Sequence, residues 1–175
     1  MIEQRLKNAI RDVADFPKPG IIFKDITPIL ADNKLCDDII DETAKRLEGI
    51  KIDAIAGIES RGFLFGFLLA QKLRVPFIPV RKAGKLPYQT ISYSYNLEYG
   101  TATIEVHTDA LKAGDNILIH DDLLATGGTA IAAAELVKQL GGTVAGYSFI
   151  VELDFLSGRD TMAQYTNNVI SLVSF

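Results

Sequence analysis

Apolar residues recur at helical spacing from the start of the chain. Ile2, Leu6, Ala9, Ile10 and Val13 predict a helix over residues 2–13, stopped by Pro17, Pro19 and Gly20, with an irregular, cap-like segment running on to about Pro28. From Asn33 the positions Leu35, Cys36, Ile39, Ile40, Ala44 and Leu47 mark an amphipathic helix ending at Gly49. Asp53 to Ile58 reads as a short buried strand and Gly62 to Leu73 as a helix apolar nearly all round. Val75 to Val80 reads as a second strand, with Pro76 and Pro79 placing it near a sheet edge. Thr90 to Tyr95 and Thr101 to Val106 alternate as the two arms of a ribbon do. Further strands are predicted at 116–120, 143–151 and 169–173, with a helix over 128–140 closed by Gly141-Gly142. Strands alternating with helices predict an α/β fold, a mainly parallel central sheet flanked by helices.

Composition narrows the class. The 175 residues fit one domain with one sizeable core. At 48% hydrophobic and 23% charged, the chain is too apolar to stay disordered. One cysteine excludes an intrachain disulfide, and two histidines leave no spacing for a zinc or iron–sulfur site. A reducing, cytoplasmic setting is expected. The longest apolar stretch, Gly62 to Ala70, is about half of what a bilayer requires, and Glu3, Arg5 and Lys7 stand where a signal peptide would have its apolar core. A net charge of −4 disfavours nucleic acid as partner and leaves a small molecule.

The densest chemistry lies in ILIHDDLLATGGTA, Ile117 to Ala130: an apolar strand, two adjacent acids, then Thr-Gly-Gly-Thr opening a helix. Ligands of open α/β sheets bind beyond the carboxyl ends of strands, so Asp121 and Asp122 are placed at a ligand. Glycines let backbone approach an anion, and free N–H groups at the helix start, with the Thr126 and Thr129 hydroxyls, form a phosphate cradle. No Lys follows the glycines and they are adjacent, which excludes both a Walker loop and G-x-G-x-x-G. Acids that accept from a vicinal diol, followed by a phosphate nest, match a ribose 5-phosphate.

This run resembles the 5-phosphoribosyl-1-pyrophosphate motif of the type I phosphoribosyltransferases, and its LLATGGT form is similar to the adenine-using members. Three further segments agree. Gly57-Ile58-Glu59-Ser60-Arg61-Gly62-Phe63, at the carboxyl end of the first core strand, resembles the family's pyrophosphate loop; Arg81-Lys82-Ala83-Gly84-Lys85-Leu86-Pro87 resembles its flexible catalytic loop. Phe16-Pro17-Lys18-Pro19-Gly20-Ile21-Ile22-Phe23-Lys24-Asp25-Ile26 resembles its N-terminal hood. Leu97-Glu98-Tyr99-Gly100 matches a ribbon element of the family except that Asn96 precedes it where a Ser is often found. Lys24 stands where many relatives carry Arg. The matches span residues 16 to 129, with weaker similarity to the end.

The resemblance implies a single phosphoribosyltransferase domain over 1–175, with a hood over 1–30 and a flexible loop and ribbon over 81–106. It implies transfer of the phosphoribosyl group to adenine, giving AMP and pyrophosphate, with Mg²⁺ carried by the donor and no dedicated metal site, and a homodimer. Asp121 and Asp122 would address the ribose hydroxyls. Ala125, Thr126, Gly127, Gly128 and Thr129 would wrap the 5-phosphate, and Glu59, Ser60, Arg61, Arg81, Lys82 and Lys85 would handle pyrophosphate. Lys85 would also act in catalysis, and Glu98, the only acid between Glu59 and Glu105, would accept the adenine proton. Phe23 would stack on the base while the main chain of Ile22 and Lys24 reads its edge. Whether Arg81 acts in its own subunit or across a dimer is open. Two other readings stand beside this one: transfer to a different nucleobase, and a non-catalytic regulator that senses the phosphoribosyl donor.

Overall fold

A computed structural model of the chain describes residues 1–97 and 100–175. Its centre is a seven-stranded sheet built from β3 (Ala54–Ile58), β4 (Phe77–Lys82), β5 (Thr90–Asn96), β6 (Thr101–His107), β7 (Asn116–Leu124), β8 (Thr143–Glu152) and β9 (Val169–Ser174), in the order β5-β6-β4-β3-β7-β8-β9. The run from β4 to β9 is parallel, and β6 and β5 extend it antiparallel. β3 is buried at all five positions, as a central parallel strand covered on both faces must be. On one face lie α1 (Ile2–Ala9), α2 (Asn33–Arg46) and α3 (Gly62–Leu73), packed through Leu6, Ile39, Phe65 and Leu69 onto Ile55 and Leu118. On the other lies α4 (Gly128–Gln139), whose Ala132, Ala133 and Leu136 meet Ile117, Ile119 and Tyr147. Alanines let α4 sit close to the sheet, and the helix carries the residues that follow the acids.

α2 begins where Asp32 accepts the Leu35 N–H at 2.9 Å, a cap of about 1 kcal/mol. Pro79, and Pro76 just before the strand, behave as expected over Phe77–Val80, which pairs with β3 alone. The edge ends at Arg81 and Lys82, however, where β6 joins. The first helix is shorter than its periodicity predicts. It ends at Ala9, and β1 (Arg11–Ala14) pairs antiparallel with β2 (Ile22–Asp25), placing a two-stranded ribbon inside the segment expected to be irregular. Pairing across a turn overrides a helical apolar pattern that Ile10 and Val13 extended. Ile104, Glu105 and Val106 of β6 are buried, so the base of the 81–106 ribbon is part of the sheet rather than a free flap.

Candidate active site

The crevice opens where two crossovers leave the sheet in opposite directions. β3 feeds α3 on one face and its neighbour β7 feeds α4 on the other, which makes the β3–β7 junction a switch point. Pairing of β7 to β3 stops at Gly57 with His120, whereas pairing to β8 continues through Leu124 with Glu152. The acids therefore do not follow the strand, as the sequence suggests. They lie within it, held straight by β8 on one side and released by β3 on the other. Gly62 at the start of α3 makes this approach possible: a Cβ there would meet His120 O at 2.9 Å and Asp121 Oδ1 at 3.0 Å.

Asp121 accepts the Asp122 N–H at 2.8 Å, and Asp122 is 3% exposed. Arg61 Nε is 3.1 Å from Asp122 Oδ2, yet its N–H is not aligned to donate, so that buried oxygen has no hydrogen-bond partner in the structure. Burial raises the pKa of both carboxyls. The charge of Asp122 raises Asp121 further, to well above the ordinary range, while Arg61 opposes the rise at Asp122. Two carboxyls poised in this way favour whatever brings hydroxyl donors or positive charge. Arg61 also lies 5.0 Å from the centre of the Phe23 ring, a cation–π contact. Phe23 in turn meets Phe16 edge-on at 5.1 Å, so one guanidinium joins the hood to the acids. The Lys24 side chain turns to Asp12, at 2.7 Å, and over the Phe175 ring. Only its backbone is left for a ligand.

Thr126 and Gly127 lead into α4, with Gly127 at its N-cap and at φ +87°, a conformation glycine adopts without strain. Ala125 to Thr129 line a cavity of about 90 Å³ with Asp121. A larger cavity of about 470 Å³ sets Asp121 and Thr129 against Glu59, Lys82 and Tyr95, within the range of small-molecule sites. A comparable cavity of about 380 Å³ lies between α1 and α2, but its Arg5 already pairs with Asp38. Glu59 faces cations rather than an anion. It accepts the Lys82 N–H at 2.8 Å and two Arg81 N–H groups at 3.3 Å, and the Lys82 amide first, then Arg81, hold its pKa low. It enters the site by orienting Arg81, whose third contact is the Lys85 carbonyl at 3.1 Å. Ser60 stays exposed in the turn after a cis Glu59–Ser60 peptide. Glu98 lies outside the described residues.

Two groups escape sequence reasoning. Glu105, 6% exposed, accepts the Leu86 N–H at 2.9 Å and the Lys85 N–H at 3.1 Å, holding the cationic loop by its backbone. Burial raises its pKa, but the N–H groups of Leu86, Gly84 and Lys85 outweigh that and leave it lowered. A lone acid between Ile104 and Val106, downstream of three cations, was the available signal. The second is α5 (Gly158–Met162), the back wall of the phosphate loop. A Cβ on Gly158 would stand 2.2 Å from Ala125 O, and one on Gly127 would stand 2.6 Å from Thr161 Oγ1. Gly158 carries no sequence signal, because nothing local shows that another loop passes over it.

Comparison with known proteins places the chain in a family. A family model described as phosphoribosyl transferase domain matches residues 25–157. The adenine phosphoribosyltransferase of Cytophaga hutchinsonii is 51% identical over all of this chain and 97% of its own. The crystal structure of the adenine phosphoribosyltransferase of Thermoanaerobacter pseudethanolicus superposes with a TM-score of 0.96 at 52% identity, covering both chains fully. The Saccharomyces cerevisiae adenine phosphoribosyltransferase, solved with an imino-altritol bisphosphate and adenine, gives a TM-score of 0.91 at 44% identity over 98% of each chain.

Proposed function

The chain belongs to the phosphoribosyltransferase family, alongside adenine phosphoribosyltransferases, and on that premise we propose that it makes AMP and pyrophosphate from adenine and 5-phosphoribosyl-1-pyrophosphate. The observation that carries the reading is the meeting at one switch point of a buried acid pair, a glycine-rich helix start, Lys82 across the cavity from them, and Arg61 bridging the acids to an aromatic hood.

Each part answers one part of the donor or acceptor. The main chain of Ala125 to Thr129 and the α4 N-terminus receive the 5-phosphate. Asp121 and Asp122 accept from the ribose hydroxyls and stabilise the positive charge that grows on the ring as the C1–oxygen bond breaks, as in other glycosyl transfers. Arg61, Arg81, Lys82 and Lys85, with the Ser60 hydroxyl, take the departing pyrophosphate; Glu59 and Glu105 fix the positions of two of those cations. Phe23 stacks on adenine while the Ile22 and Lys24 main chain reads its edge, and Glu98 accepts the N9 proton as N9 bonds to C1. No protein nucleophile is required, because positioning and charge supply the acceleration.

Mg²⁺ fits this arrangement on one observation, the unpartnered Asp122 Oδ2 beside Asp121. Asp121 and Asp122 would hold the ion together with the donor's own phosphates, the oxygen ligands that Mg²⁺ prefers. When bound it would neutralise pyrophosphate charge.

The reading includes a homodimer. Leu64, Phe67 and Leu68 are 43–51% exposed on α3, directly after the pyrophosphate loop, and a second copy is the occupant an apolar helix face next to the site would meet. The whole chain, 1–175, is taken as one domain in the cytoplasm, consistent with the unpaired Cys36. Among the described residues no helix is long and apolar enough to cross a membrane.

The test is pyrophosphate release with adenine, hypoxanthine, guanine, xanthine and uracil offered in parallel. A main-chain strip cannot reverse its donor and acceptor order, so kcat/KM for adenine should exceed that for hypoxanthine by roughly 10⁴. Comparable values would refute the adenine assignment, and a salt-dependent gel shift without turnover would favour a regulator.

A further inference from the structure

Tyr95 occupies a place that the assigned roles leave unused. It is the penultimate residue of β5, half-buried on the ribbon arm that leads toward Glu98, and its ring lies against the start of α4. An ideal Cβ on Gly128 would stand 3.7 Å from Tyr95 Cδ2. Its hydroxyl is 2.9 Å from the Thr129 hydroxyl, in hydrogen-bond contact, and both residues line the 470 Å³ cavity with Asp121 and Lys82. β5 and α4 are otherwise far apart in the chain, so this pair is a polar link between the ribbon and the phosphate loop.

From this geometry we infer that Tyr95 is a positioning residue that couples occupation of the 5-phosphate loop to docking of the ribbon. A phosphate oxygen only accepts, so Thr129 must donate its single proton to it. The Thr129 oxygen then has its lone pairs left, and the Tyr95 hydroxyl is the donor beside it. The order becomes Tyr95 to Thr129 to phosphate, a chain in which each bond polarises the next. A phosphate in the loop thereby strengthens the hold on β5 and draws the ribbon onto the site. Without a phosphate the two hydroxyls satisfy each other in either direction and the hold is weaker. The device makes closure depend on the end of the donor farthest from the reacting carbon, so that the ribbon closes on phosphoribosyl compounds and not on adenine alone.

The inference rests on the proposed function for the identity of the phosphate, and its test has one arm that does not need turnover. Hydrogen–deuterium exchange over Thr90–Asn96 is measured with and without ribose 5-phosphate in the wild-type chain and in Tyr95→Phe. Wild type should gain protection and Tyr95→Phe should gain little. In steady-state assays Tyr95→Phe should raise KM for the phosphoribosyl donor about three- to ten-fold, the range of one neutral hydrogen bond, with KM for adenine unchanged. The same substitution should have that effect in a Thr129→Ser background, which keeps the hydroxyl, and none in a Thr129→Ala background. Equal protection in wild type and Tyr95→Phe, or an undiminished Tyr95→Phe effect in Thr129→Ala, would overturn the coupling. A wild-type chain that shows the protection but does not consume adenine would instead refute the transferase reading and leave the link standing.

Discussion

Asp121→Asn should make the protein more stable and nearly inactive at once. The carboxyl sits in a crevice with its neighbour Asp122 one residue away, and burial first, then that neighbour's charge, push its pKa well above the ordinary range. Arg61 forms its ion pair with Asp122 rather than with Asp121. Asn keeps the shape and the Oδ1 that accepts the Asp122 N–H, while removing a charge the fold holds at a cost. The sign follows from proton binding. A carboxyl whose pKa is higher folded than unfolded is stabilising only at low pH, and that contribution is lost as pH rises from the ordinary aspartate range through the raised folded pKa. The variant lacks this loss, so its advantage should grow from acid to neutral pH and reach about 1–2 kcal/mol, the usual gain when a strained site residue is neutralised. For a chain of this length that is a Tm rise of roughly 2–8 °C. Turnover should fall by roughly 10²–10³, the effect of one preorganised electrostatic group. Calorimetry at several pH values, beside steady-state kinetics, measures both. A lower Tm with intact kcat would show that Asp121 is a structural acid and refute the argument from burial.

Glu98→Gln should lower kcat by about 10²–10⁴ and leave the dissociation constant for adenine nearly unchanged; full kcat at several pH values would remove Glu98 as proton acceptor. Lys82→Ala or Lys85→Ala should raise KM for the phosphoribosyl donor along with any fall in kcat, and an unchanged donor KM in both would exclude these cations from pyrophosphate handling. Gly158→Ala must displace Ala125 O from 2.2 Å, so it should cost about 1–3 kcal/mol in thermal melts and weaken ribose 5-phosphate binding in calorimetric titrations. His120, buried against Ser148, has its pKa pushed down to about 4, so it stabilises the fold above about pH 6.5 and loses up to about 3 kcal/mol as pH falls toward 4. His120→Val should therefore flatten that part of the acid-unfolding profile, and an identical slope would contradict the buried neutral imidazole.

The strands and helices that the sequence makes legible are those whose own pattern decides them. β3 is five apolar or glycine residues flanked by turns, and α3 is apolar around its whole circumference, so neither needs a distant partner to be recognised. β1 is different: Arg11 to Ala14 has one apolar residue facing the ribbon, and only its register with Ile22–Asp25 makes it a strand. The end of β7 is different in the same way. Local sequence places a turn after His120, because two acids rarely continue a buried strand, but β8 runs alongside to Glu152 and keeps β7 extended.

The same division holds for the site. Residues that would touch the ligand fall in runs whose chemistry is unusual in itself, such as adjacent acids before Thr-Gly-Gly-Thr or three cations around a glycine, and such runs stand out because a solvated loop has no use for them. The residues that hold those runs in place have ordinary chemistry and an unusual location. Glu105 is one acid on a strand, and it matters because the backbone of Leu86 passes within 2.9 Å. Gly158 is one glycine in a polar stretch, and it matters because Ala125 passes closer than a methyl group allows. Their meaning is a distance between segments far apart in the chain. A substitution at Glu105 or Gly158 should therefore disturb the donor site as surely as one at Arg81 or Thr126, although neither supporting residue lines the two cavities of the site.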